Sequence, residues 1–278
     1  MIDYLHSGDF LECSNPEAYI IAMPDKEGEA KKVVEKLGLT GRTRGVKAVN
    51  LKTIKPELLV RDGYVDKKYN ETEKKKAALG CHLSHMLVLQ EFLKSGKKTA
   101  LVLEEDLSFP RGEASAREEL KSFMEKSAEA LDSEEPMISY AGYCYCNGKG
   151  DEIRQGLYKL DAPMCTHAYM INRPAAQTFI KEGLPQTRPV DHMYGVSGIT
   201  LIGPESPIID QPWIPYHGNG FKPGTENDKG VKPELSQAEE SGMPTYQILL
   251  TVFLVMLVAG LAIFVAVKIS RPESKKNA

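Results

Sequence analysis

The 278-residue chain predicts an α/β domain followed by one apolar helix. Three observations carry that expectation. Short apolar runs alternate with segments of helical periodicity from about residue 17 to residue 212. A stretch rich in Pro, Gly and charge then follows at 222–245, and an uncharged apolar run closes it at 246–267.

The elements follow in order. "EAYIIAMP" (17–24) is a short apolar run stopped by Pro24 and reads as a buried strand. "KEGEAKKVVEKLGL" places Val33, Val34 and Leu37 at helical spacing, with Gly38 as its stop. "TRGVKAVN" suits a second strand. "GCHLSHMLVLQEFLKSG" (80–96) is a helix with Leu83, Leu87 and Phe92 on one face. "KTALVLEED" follows as a strand and "SAREELKSFMEKSAEALD" as an amphipathic helix. "MISYAGYCY", "GLYKLD" and "CTHAYMIN" read as strands. "RPAAQTFIKEG" is a helix with Pro in its first turn. "GITLIGP" and "SPIIDQP" read as short strands. Such alternation predicts a layered domain with a mostly parallel sheet, whose ligands bind beyond the carboxyl ends of the strands.

The net charge of −3, with 26% charged residues, supplies no basic stripe for nucleic acid. The lysine-rich "KKYNETEKKK" (67–76) reads as a solvated loop. Five cysteines include no C-x-x-C pair. The "CYC" at 144–146, if on a strand, would turn both thiols to one face, a poor zinc signature. A reduced, disulfide-free domain is expected.

The opening residues lack the basic start and apolar core of a signal peptide. The run at 246–267 is long enough, at about 1.5 Å per residue, to span a hydrocarbon core of about 30 Å. The expected organisation is therefore a catalytic or binding domain at 1–221, a tether at 222–245, a transmembrane helix at 246–267 and a basic tail at 268–278. The missing signal peptide points to a tail anchor with the domain in the cytosol. The basic flank after the span argues for the lumenal orientation.

"TALVLEEDLSF" (99–109) ends a strand in three adjacent carboxylates, Glu104, Glu105 and Asp106. Such a triplet either solvates the strand end or holds a divalent cation. Mg²⁺ and Mn²⁺ favour oxygen ligands, with phosphate oxygens completing the shell. Strand alternation would put Glu104 and Asp106 on one side and Glu105 on the other. Five of the six histidines lie in "GCHLSH", "CTHAYMIN", "PVDHMYG" and "WIPYHGNG". In the last of these, Gly218 and Gly220 permit close approach of a phosphate, and His217 and Asn219 add polar contacts.

With these segments in order, the chain resembles the glycosyltransferase family 25 enzymes, the group of bacterial lipooligosaccharide galactosyltransferases and collagen β-galactosyltransferases. "AYIIAMPDKEGEAKKVVEKLGL" resembles the family's opening strand and charged helix. "GCHLSH" with "LVLEED" resembles its "GCxLSH … LVLEDD" block. "CTHAYMINRPAAQTFI" and "PVD" resemble two further blocks. "WIPYHGNG" is similar to the "HGNG" end of the glycosyltransferase domain of procollagen lysyl hydroxylases.

The resemblance implies a GT-A-like, Rossmann-type nucleotide-diphospho-sugar transferase domain. It implies a UDP-sugar donor, Mn²⁺ or Mg²⁺, and transfer with inversion to a hydroxyl of a glycan or glycoprotein. It assigns Glu104, Asp106 and His217 to the metal. Glu104, Glu105, Asn219 and Gly220 go to the donor, with Ser84 and His85 nearby. Asp191 matches the carboxylate near the acceptor and is the expected base. Glu105 stands where the family has Asp. Met23 and Asp25 end the first strand, where a nucleotide base would lie; Asp25 alternatively caps the next helix. Thr166 and Tyr169 line the donor sugar or pack the core. Trp213 stacks on a ligand or anchors the rim, and Lys222 meets phosphate or belongs to the tether. Two other classes stand beside an active transferase. One is a catalytically inactive, membrane-tethered module that binds a glycan or nucleotide sugar. The other is a nucleotidyltransferase, which would want a Gly-rich phosphate loop that the first strand lacks.

Overall fold

A computed structural model describes residues 9–51, 56–67 and 73–212. The chain runs β1 (Asp9–Leu11), β2 (Ala18–Ala22), α1 (Glu27–Lys36), β3 (Thr43–Lys47), α2 (Pro56–Arg61) and α3 (Glu73–Lys94). It continues through β4 (Thr99–Glu104), α4 (Glu113–Ala130), β5 (Met137–Gly142), β6 (Gly148–Arg154) and β7 (Leu157–Asp161). It ends in β8 (Ala168–Asn172), α5 (Arg173–Glu182), α6 (Val190–Val196) and β9 (Thr200–Gly203).

Among the described residues the nine strands form one sheet in the order β1-β3-β2-β4-β8-β5-β9-β7-β6. The alternation is as expected, but the sheet is mixed rather than mostly parallel. Only β2–β3, β2–β4 and β5–β9 pair in parallel; the other five pairings are antiparallel. The cause is physical. Helices cover both faces of the central strands, so "AYMIN" is buried at every position whichever way it runs. A continuous apolar run reports burial, not direction.

Period-2 alternation sorts each strand between two cores. Tyr19 and Ile21 of β2, Ala100 and Val102 of β4, and Tyr169 and Ile171 of β8 face the layer of α3, α5 and α6. Ile20, Leu101, Leu103, Ala168 and Met170 face the layer of α1 and α4. Glu104 continues the parity of Ala100 and Val102. That is why a carboxylate at the end of β4 is delivered to α3.

Local signals hold where their chemistry is specific. Gly38 takes a positive φ of 69° just past the end of α1. In α5 the Asn172 side chain caps the helix by accepting from the Ala175 N–H, with Pro in the first turn. It also accepts the Met137 N–H, tying β5 to the start of α5. Elsewhere bounds differ. The helix expected at 80–96 begins at Glu73, inside the lysine-rich stretch read as a loop. The strand expected through residue 145 stops at Gly142. "SPIIDQP" forms only a bridge between Asp210 and Ser108. The hairpin strand β6 is too polar to show in an apolar pattern: six of its seven residues are exposed.

Among the described residues no helix is long and apolar enough to cross a membrane. The tether, the 246–267 span and the basic tail lie outside the described residues, as do Trp213, His217, Gly218, Asn219, Gly220 and Lys222.

Candidate active site

The three acids after β4 separate as the strand ends. β4 stops at Glu104, so strand alternation does not carry on to Asp106. Glu104 Oε1 accepts hydrogen bonds from His85 Nε2 at 3.1 Å and from the Thr166 hydroxyl at 3.0 Å. Glu105 is half-buried and lies 3.5 Å from the Met23 N–H at the end of β2. Asp106 is exposed, and both its oxygens accept from Gln211 Nε2, at 2.9 and 3.1 Å.

Glu104 anchors a buried polar chain. A carboxylate only accepts, so His85 Nε2 carries the donated proton. In the neutral ring His85 Nδ1 then accepts from the Tyr169 hydroxyl at 2.9 Å, and Tyr169 in turn meets the Tyr194 hydroxyl at 2.8 Å. His85, Tyr169 and Tyr194 are fully buried. The chain thus runs from α6 across β8 to α3 and ends on β4. Burial by itself would raise Glu104. The hydrogen bond from His85, the positive charge that the His85 and His167 rings carry when protonated, and the Thr166 hydroxyl outweigh it and hold this carboxyl below its usual range. Glu105 goes the other way: burial raises it, and the charges of Asp106 and Glu104 add to the rise.

Asp191 sits in the first turn of α6. Its Oδ2 accepts the Cys165 N–H at 3.0 Å and its Oδ1 accepts the His192 N–H at 2.9 Å. Consecutive residues therefore hold two carboxylates: Cys165 holds Asp191 and Thr166 holds Glu104. The Cys81 thiol, one helical turn before His85, feels the same cluster. Burial pushes it well up, followed by the charges of Glu104, Asp191 and Asp106.

Cys144 and Cys165 are joined by a disulfide with a Cα–Cα distance of 5.8 Å. This corrects the expectation of a disulfide-free domain. The early end of β5 lets the chain leave the sheet at Cys144, and Cys165 takes a left-handed φ of 71°. The "CYC" thiols do not act together, because Cys146 is buried against the Gly148 and Asp161 carbonyls.

The remaining expected residues fall on either side of this cluster. Ser84 is buried, accepting the Val49 N–H at 2.8 Å and donating to the Gly80 carbonyl at 2.6 Å; it fastens α3 to the end of β3. Asp25 is exposed and is not the cap of α1, whose N-cap is Lys26 without a side-chain bond. His82 packs on Phe179 and donates to the Gly183 carbonyl, away from the acids. Tyr169 lies within the core, which accords with its packing role. Gln211, Tyr194 and Cys165 were not anticipated. Tyr194 and Asp191, three apart, share a helix face, and that spacing was the available signal. Nothing in the sequence announced Gln211.

A cleft of 440 Å³ opens on the α1/α4 side, with Glu105 at its edge. Lys32, Lys36, Glu29 and Glu113 charge its walls, and Val33, Leu107 and Phe109 are its apolar part.

The carboxylates thus gather where β4 ends and β8 begins. The chain belongs to glycosyltransferase family 25 (LPS biosynthesis protein), whose family model matches residues 19–194. No curated protein matches the chain. Among solved structures it is similar to the mannose-1-phosphate geranyltransferase of Thermus thermophilus, at 16% identity and a TM-score of 0.30. That match covers 61% of this chain and 54% of the other.

Proposed function

We propose that the chain is a GT-A-like transferase. It moves a sugar, galactose or glucose, from a UDP-sugar to a hydroxyl of a glycan or glycoprotein, with inversion. The observation that carries this reading is the juxtaposition held by Cys165 and Thr166. One backbone segment fixes a carboxylate at the start of α6 and another at the end of β4. Inverting transfer needs one group beside the attacking hydroxyl, the place of Asp191, and charge control beside the leaving diphosphate, the place of the acidic turn that Glu104 orders.

The donor set suits a hard divalent cation such as Mn²⁺ or Mg²⁺. Among the described residues no Lys or Arg side chain pairs with Glu105 or Asp106; backbone N–H groups serve Glu105 and Gln211 serves Asp106, but no cation offsets their mutual repulsion. Asp106 and Glu105, with His217 outside the described residues, would hold the ion. When bound it would neutralise charge developing on the UDP diphosphate. Glu104 has a different part. With one oxygen engaged by His85 and Thr166, it orders the acidic turn from behind. Asp191 keeps free lone pairs on both oxygens despite its two backbone donors, so it can take the proton of the acceptor hydroxyl. The run at 246–267 would anchor the chain to a membrane.

The test is UDP release from UDP-galactose and UDP-glucose by the full-length chain, with and without Mn²⁺. Metal-dependent release supports the reading. UDP binding without release from any common UDP-sugar would favour the inactive binding module, for which Glu105 in place of the family's Asp is the favouring observation.

A further inference from the structure

The disulfide lies beside a histidine prepared to join it. His167 is fully buried, and its Nε2 lies 3.2 Å from the Ile209 carbonyl. A carbonyl only accepts, so Nε2 carries the hydrogen and the Nδ1 lone pair is left without a partner. A buried nitrogen with no hydrogen bond is unusual and calls for an explanation. The sulfurs of Cys144 and Cys165 and a ring nitrogen of His167 all lie within 4.8 Å of one another. A tetrahedral zinc centre needs donor atoms about 3.5–3.8 Å apart, given metal–sulfur bonds near 2.3 Å and metal–nitrogen bonds near 2.0 Å. Small side-chain shifts suffice once the S–S bond is open. The Ile209 carbonyl already supplies the contact that orients a metal-binding imidazole from its far side. His82 has the same orphaned Nδ1 but packs on Phe179, with no thiol pair beside it in any donor group among the described residues.

We propose that Cys144, Cys165 and His167 form a thiol-gated site for a soft divalent cation such as Zn²⁺, closed by the disulfide and opened by its reduction. A dithiol reductant delivers two electrons and two protons to the S–S bond, leaving two thiols and its own disulfide. Cation binding then releases those two protons as both sulfurs become thiolates. Both cysteines are half-buried rather than sealed in the core. Two thiolates and one imidazole leave a fourth position for water. The site is separate from the oxygen-ligand site proposed above and does not depend on it. The two meet at the backbone, where either state, disulfide or metal-bound, restrains Cys165, whose N–H holds Asp191, and at His167, which lies close enough to Glu104 to act on its charge.

The test uses the full-length chain in mild detergent, reduced with a phosphine, desalted without oxygen and titrated with Co²⁺ as probe. Thiolate ligation gives a near-ultraviolet charge-transfer band. Reduced wild type and Cys81→Ser should show it, and the oxidised chain should not. Cys144→Ser should bind about tenfold more weakly or worse. A readout that needs no variant is alkylation of the reduced chain followed by peptide mapping. Zn²⁺ should shield Cys144 and Cys165 while Cys13 stays reactive. The proposal is overturned if reduced wild type gives no band, or if Cys144→Ser binds Co²⁺ as tightly as wild type. It also fails if the band disappears in Cys81→Ser, which would place the cation on Cys81, His85 and Glu104 instead, or if Zn²⁺ leaves alkylation of Cys144 and Cys165 unchanged.

Discussion

Tyr169→Phe deletes one oxygen from the buried chain behind Glu104. The change preserves the ring packed between His85 and Tyr194, so its cost is almost entirely polar. It strands two groups, the His85 Nδ1 lone pair and the Tyr194 hydroxyl, both fully buried. Leaving a buried polar group unsatisfied costs about 1–3 kcal/mol. Two such groups, partly relieved by relaxation, give a loss of about 3 kcal/mol. For a fold of this size that lowers the Tm by about 6–12 °C. Tyr194→Phe removes only a terminal hydroxyl and should cost about 1 kcal/mol. In the double variant the stranded Tyr194 hydroxyl is gone, so the two changes should fall short of additivity by about 1–2 kcal/mol. Thermal unfolding of the full-length chain and its three variants measures all of these quantities. A Tyr169→Phe loss under about 0.5 kcal/mol, or strict additivity, would show that the hydroxyls do not form the connected chain.

Three further outcomes are expected. Replacing both Cys144 and Cys165 with Ser opens a loop with a sequence separation of 21 and should cost about 3 kcal/mol in unfolding free energy; an unchanged denaturation midpoint under non-reducing conditions would contradict that. Burial pushes His82 down to about 4 from an ordinary 6.5. The unfolded chain therefore takes up this proton first. The contribution is complete above pH 6.5 and is lost as the pH falls towards 4, with about 2 kcal/mol gone at pH 5. His82→Gln should flatten that slope relative to wild type, and equal slopes would remove His82 from the account. Glu104, held low, should add its own loss only below its ordinary range near 4.5; a Glu104→Gln variant whose stability converges with wild type between pH 7 and pH 5 would refute this.

Much of the acidic site was legible because its chemistry is local. "GCHLSH" places Cys81 and His85 one helical turn apart, and the parity of "TALVLEED" sends Glu104 towards that helix. What could not be read depends on long-range pairing. That β8 runs antiparallel between β4 and β5 is invisible in "AYMIN", whose residues are buried on both faces. The disulfide needed β5 to stop at Gly142 and Cys165 to turn left-handed, neither of which composition signals. Glu104 looked like a ligand because it stands in an acidic run. Its partners, Thr166 and His85, engage one oxygen of the first acid of the run from the α3 side, a long-range pairing that the acidic run alone does not announce.

The central claim is that Asp191 acts on the acceptor while the acids after β4 serve the donor. Asp191→Asn in the full-length chain tests it most directly, with UDP release and Mn²⁺-dependent UDP binding measured on the same preparation. The expected result is release reduced by at least about a hundredfold with UDP affinity unchanged. Near-normal release from this variant, or loss of UDP binding together with release, would contradict the assignment.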